Sequence, residues 1–166
     1  HCFKCKNNFG TPPVVISRYG EEDYRDIVTA IYFHNGGYFG GYDTVHIQKT
    51  ESGIVVDVDF IDISIHPQND GIHCQYAITD NRWKRLLDRL FCKLCVHEWK
   101  KRYVDSSVLD GEVWSLGFRL THNRVHNWAG SNAFPIYWNE LKRTFKPFLD
   151  KLKNVELKKP PYIDFL

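Results

Sequence analysis

Residues 43–65, DTVHIQKTESGIVVDVDFIDISI, decide the fold. Asp57, Asp59 and the β-branched residues between them alternate in the period of a strand. Two strands around a tight turn at Glu51 to Gly53 follow, with Asp57 and Asp59 on one face. Upstream, Val14 to Ser17 and Asp26 to Phe33 read as strands on their β-branched and aromatic content. Between them and the hairpin, HNGGYFGGYD carries glycines at 36, 37, 40 and 41 and reads as a loop or bulged hairpin tip. HPQNDG reads as a polar loop, after which Thr79 or Asp80 caps a helix starting near Asn81.

In that helix Trp83, Leu86, Leu87, Leu90 and Leu94 form one apolar stripe. A second hairpin comes next, VWSLGFRL and RVHNWAG turning at His122 and Asn123. The chain closes on a helix whose stripe is Trp138, Leu141, Phe145 and Leu149, with Pro135 in its first turn and Pro147 expected to kink or end it. Hairpin and helix thus occur twice, and Trp83, Leu86 and Leu90 are spaced as Trp138, Leu141 and Phe145 are. The reading is α+β: an antiparallel sheet built from two ββα-like units, with two main helices on one face. It is a single domain over residues 1–166, with an N-terminal CxxC arm at 1–13, a core at 14–154 and a tail at 155–166.

Composition narrows the function classes. At 43% hydrophobic, 25% charged and a formal net charge of +2, the chain is neither disordered nor suited to coating nucleic acid. No apolar run approaches the roughly 20 residues of a membrane span. The sequence holds no methionine, so an upstream segment is expected before His1. Five cysteines, an odd number, cannot all pair within the chain, and the CxxC spacing favours a reducing, cytoplasmic setting.

Two such pairs, Cys2 with Cys5 and Cys92 with Cys95, carry the sharpest chemistry. Each can present two sulfurs to one ion, so together they can close a tetrahedral structural zinc site, with His97 as a substitute ligand. Free thiols and disulfides are the competing readings. On a continuous helix the two later cysteines lie about 120–180° from the leucine stripe, facing away from the core. Arg82, Arg85, Arg89, Lys93 and Lys100 fall together on a third sector, a basic stripe that suits an acidic protein or a nucleic acid, or is simply a solvated face. Asp57 and Asp59, with His46 across the hairpin, are raw material for a divalent ion and acid–base work. No Gly-x-Ser-x-Gly elbow, HExxH or Gly-Lys-Ser/Thr phosphate loop is present.

Trp99, Tyr103, LDG at 109–111, WSL at 114–116, GSNAFP at 130–135 and YWNEL at 137–141 resemble a widespread family of small uncharacterised bacterial proteins. The resemblance implies a bacterial origin and an α+β domain, and it implies no activity. Here Phe134 stands where that pattern has tyrosine, and the CxxC pairs lie outside it. The expectation is therefore a non-catalytic bacterial binding or interaction domain, with zinc as a structural staple. The alternative is a small metal-dependent hydrolase or nuclease using Asp57, Asp59 and His46.

Overall fold

The structure, a computed structural model, describes residues 11–37, 40–61 and 71–156. Two short strands, β1 (Val14–Ser17) and β2 (Gly20–Asp23), form a separate hairpin. Asp23 then caps a single helical turn, α1 (Tyr24–Ile27), by accepting from the Arg25 backbone N–H. A meander follows: β3 (Val28–Gly37), β4 (Gly41–Thr50), β5 (Gly53–Ile61) and β6 (Ile72–Ile78). After α2 (Asp80–Asp88) come β7 (Arg102–Val104), β8 (Glu112–Leu120), β9 (Val125–Ser131) and the long α3 (Trp138–Glu156). Strands β3 to β9 make one sheet of seven in the order β6-β5-β4-β3-β8-β9-β7, antiparallel except where β7 runs beside β9.

The α+β architecture expected from the sequence is present, as is the hairpin across Glu51 to Gly53. Its halves are not separate, because β3 pairs with β4 on one side and β8 on the other and so joins both hairpins into a single sheet. Segment 72–78, to which the sequence reading assigns no element, is a strand. Ile72, Cys74, Tyr76 and Ile78 alternate with polar or small neighbours and pack against the core.

Both helices cover the same face. Trp83, Leu86 and Leu87 of α2 and Trp138, Leu141, Phe145, Phe148 and Leu152 of α3 share one core with Ile31, Phe33, Val45, Ile47, Val56, Val58, Trp114, Leu116, Phe118 and Trp128. Phe33 lies flat on Phe145 at a centroid distance of 4.3 Å, and Phe118 meets Trp128 edge-on at 5.5 Å. Burying each such ring is worth about 2–3 kcal/mol, so this layer supplies most of the driving force for folding.

Both helices depart from their expected bounds. Thr79 caps α2 as expected, accepting from the Arg82 backbone N–H, but the α-helix ends at Asp88. A π-helical turn spans Arg89–Lys93, and Cys95 then takes a left-handed backbone, φ 48° and ψ 48°. The Trp99 indole donates to the Leu94 carbonyl at 2.9 Å, satisfying a group that the broken helix would leave orphaned. The turn folds Cys95 inward, to 2% exposure, rather than away from the core. In α3 the helix runs past Pro147 to Glu156. Phe145, Phe148 and Leu152 are buried on both sides of the proline, and that anchoring outweighs the one backbone hydrogen bond it removes. Pro135 lies before the helix, its carbonyl accepting from the Trp138 N–H at 3.0 Å.

Candidate functional site

Pleating sends alternate side chains to the face of the sheet that neither helix covers. The strand register arranges them in rows. One row runs Asn127, Gly117, Tyr32, His46, Asp57 and Gln75 across six strands. The next runs Arg102, Ala129, Ser115, His34, Thr44, Asp59 and His73. A third is largely apolar: Val104, Ser131, Val113, Gly36, Tyr42 and Ile61.

Within this array the rings hold one another. Tyr32 stacks on His46 with centroids 4.3 Å apart, and His34 on Tyr42 at 5.2 Å. The Arg119 guanidinium lies over Tyr32 at 5.8 Å. His34 Nδ1 is 3.1 Å from the Thr44 hydroxyl, and Gln75 donates to Asp57 at 2.7 Å. His73 sits between the two acids, its Nδ1 2.6 Å from an Asp59 oxygen and its Nε2 3.8 Å from Asp57. Burial is the main cause of the lowered pKa of both His34 and His46, which therefore favours neutral imidazoles. His46 Nε2 is buried with no hydrogen-bond partner among the described residues. The array is a surface of fixed rings, acidic around β5 and basic around Arg119 and Arg102.

Of the three residues singled out for metal chemistry, two share a row and the third stands in the next. His46 stands opposite Asp57 and is stacked on Tyr32, while Asp59 is engaged by His73 one row away. Among the described residues, no group of three His, Cys, Asp or Glu side chains is arranged to hold a metal. Tyr32, Tyr42, His73 and Arg119 were missed from sequence because they join the site only through register. The alternation in 72–78 was the signal that could have placed His73.

The cysteines divide. Cys2 and Cys5 lie outside the described residues. Cys95 is disulfide-bonded, and Cys74 and Cys92 are free. A disulfide sulfur is not a thiolate, so zinc on all four sulfurs would require that bond to be reduced first. Burial pushes the Cys92 thiol up, with Arg25 Nη1 at 3.5 Å pulling the other way.

The basic stripe does not run along one helix. Arg82 lies over the Phe148 ring at 4.6 Å, and Arg89 Nε donates to the Thr144 hydroxyl at 2.7 Å, so both clamp α2 and its π-turn to α3. Arg85 and Lys93 are exposed, and Lys100 lies beyond the left-handed residue.

The segments LDG, WSL and GSNA form a joint. Trp114 Nε1 donates to the Ala133 carbonyl at 2.9 Å, and the Asn132 side chain donates to Val108 O at 3.1 Å from a left-handed backbone, φ 55°. A Cβ at Gly130 would stand 2.1 Å from the Trp114 indole nitrogen, and one at Gly111 would collide with the Asn132 amide. LDG, WSL and GSNA thus lock the start of β8, the end of β9 and the approach to α3. No family model matches the chain, and no curated protein matches it.

Proposed function

We propose that this chain is a non-catalytic interaction domain that binds a folded protein partner on the open face of its sheet, rather than on the basic helical stripe. The reading rests chiefly on one observation, the stacked tyrosines and histidines of β3 and β4, held in register beside the acids of β5 and His73 of β6. Rigid tyrosine rings give contact area at low entropic cost, and arginine beside them is typical of interface hot spots. Three rows across six strands cover roughly 25 Å by 15 Å, of the same order as one side of a standard interface. A surface this broad suits a protein better than a small molecule, and the paired acids Asp57 and Asp59 weigh against a polyanion. The partner's complementary patch is basic opposite β5 and apolar opposite Val104, Val113 and Ile61.

The test uses three baits in a bacterial lysate: the unaltered chain, Asp57→Lys with Asp59→Lys on the open face, and Arg85→Glu with Lys93→Glu on the helical side. The reading requires a protein retained by the first and third baits and lost from the second. Loss from the helical variant alone would move the site to the basic stripe and overturn it. Turnover of phosphodiester or ester substrates that depends on added divalent ion and on His46 would instead favour the hydrolase.

A further inference from the structure

The seven-stranded sheet ends in two unlike edges. At one end β7 is three residues long, begins with Arg102 and runs parallel to its neighbour, a short charged edge that resists pairing with another chain. At the other end β6, IHCQYAI, keeps an unbroken antiparallel register with β5 from Ile72 opposite Phe60 to Ile78 opposite Ile54. That is about 24 Å of strand, without a charged residue, a proline or a bulge. Among the described residues the backbone of 72–78 bonds to nothing beyond β5, which leaves one row of its N–H and C=O groups without a ladder partner. On the covered side Ile72, Cys74, Tyr76 and Ile78 are half-buried at the margin of the core, and on the open side His73, Gln75 and Ala77 are exposed.

Such an edge is a template for another strand, and its own sequence describes a strand that fits. Antiparallel pairing about a two-fold axis sets residues of the same face opposite each other, and a dyad at Gln75 pairs all seven. Ile72 then meets the second copy's Ile78, Cys74 its Tyr76, His73 its Ala77 and Gln75 its Gln75. Apolar residues oppose apolar ones on the covered side, small oppose large on both sides, and no like charges face each other. An unrelated extended peptide would find the backbone row but no side chains that select it. We infer that β6 is a self-association edge, at which a second copy of this chain pairs antiparallel about Gln75 and two seven-stranded sheets become one of fourteen. The second copy also extends the proposed docking face, since it sets another Asp57 and Asp59 about the same axis. The pairing does not rest on that reading: self-association and retention of a protein from lysate are separate measurements, and either can fail without the other.

The experiment is sedimentation equilibrium of the full chain up to about 0.5 mM, a concentration at which even weak association registers, with Gln75→Lys and Gln75→Glu run singly and as an equimolar mixture. A strand pair is narrower than a standard interface, so the unaltered chain should form a dimer that dissociates at about 100 μM or below. Gln75 is exposed and stands opposite Asp57, so Gln75→Lys gives that acid a cation within the chain and leaves the fold in place. In the dimer the same change opposes two like charges at the axis, and pairing should weaken about tenfold or more. Gln75→Glu should do the same, and the mixture, which opposes unlike charges, should return to within about threefold of the parent. A chain with the mass of one copy at about 0.5 mM overturns the proposal. So does a dimer indifferent to Gln75→Lys, whose interface lies elsewhere, or a mixture no tighter than its components. Urea midpoints accompany each mass; should Gln75→Glu, beside Asp57, unfold more readily than the parent, the unaltered chain and Gln75→Lys decide between the outcomes.

Discussion

The two faces of the sheet are made from the same strands, often from consecutive residues, yet they serve opposite ends. Ile31 and Phe33 are sealed in the core, whereas Tyr32 and His34 beside them stand in the uncovered rows. The covered face is held by volume: rings and branched side chains fill the space between sheet and helices, and any loss leaves a void. The open face is held by pairing, ring on ring and acid on imidazole, at the edge of water. Removing a group from the first is a matter of stability; removing one from the second is a matter of recognition.

That contrast breaks first at its strongest point. Phe118 is fully buried between Phe91 and Trp128, so Phe118→Ala should cost about 3–5 kcal/mol in urea unfolding. Tyr32→Ala, from the adjacent central strand but on the open side, should cost no more than about 1 kcal/mol. Equal costs would mean that the open face is packed against something and is not a free surface.

A smaller effect tests the joint where the faces meet. Gly130→Ala drives a methyl into the Trp114 indole nitrogen and, at 2.5 Å, the Ala133 carbonyl, so the bond between those two groups must give. About 2–3 kcal/mol should be lost, together with the native tryptophan fluorescence. A variant as stable as the parent would show that the motif is retained for something other than closure.

The smallest effect is titration. Burial holds the imidazoles of His34 and His46 on the open face, and of His126 on the covered face beside the Tyr24 hydroxyl, below the ordinary 6.5. Between the depressed folded values and 6.5 the unfolded chain binds more protons, so stability is full above that window and falls as pH drops through it. Asp43 acts in the opposite sense, since a carboxyl with a raised folded pKa gains stability on acidification. The urea midpoint should therefore be lower near pH 5.5 than near pH 7.5. His34→Gln with His46→Gln should remove part of that slope and His126→Gln the rest, which divides the titration between the faces.

Much of the covered face was legible in the sequence, because burial writes itself as period. The stripe of Trp83, Leu86 and Leu87, the alternation around Asp57 and Asp59, and a cap at Thr79 or Asp80 all follow from spacing alone. The end of α2 was not legible: Leu90 and Leu94 keep the helical stripe, while the break depends on Trp99 returning to Leu94 from five residues away. Pro147 failed as a stop for the converse reason, since local propensity gave way to burial on both sides. The open face was least legible. Tyr32, His46, Asp57 and Gln75 become neighbours only when four strands settle into register, and no window of the sequence contains them all.

One pairing bears on how the chain reaches this state. The central strand β3 is bonded to β8, whose residues lie some eighty positions later. A ribosome therefore releases the whole β3–β6 meander well before the middle of the sheet can close. The apolar side of that meander then waits longer still, because α3, which covers much of it, is the last described helix. Folding is consequently late and non-local, a regime of slow rates in which incomplete chains aggregate. Fragments that stop short of Trp138 should precipitate rather than persist as smaller domains.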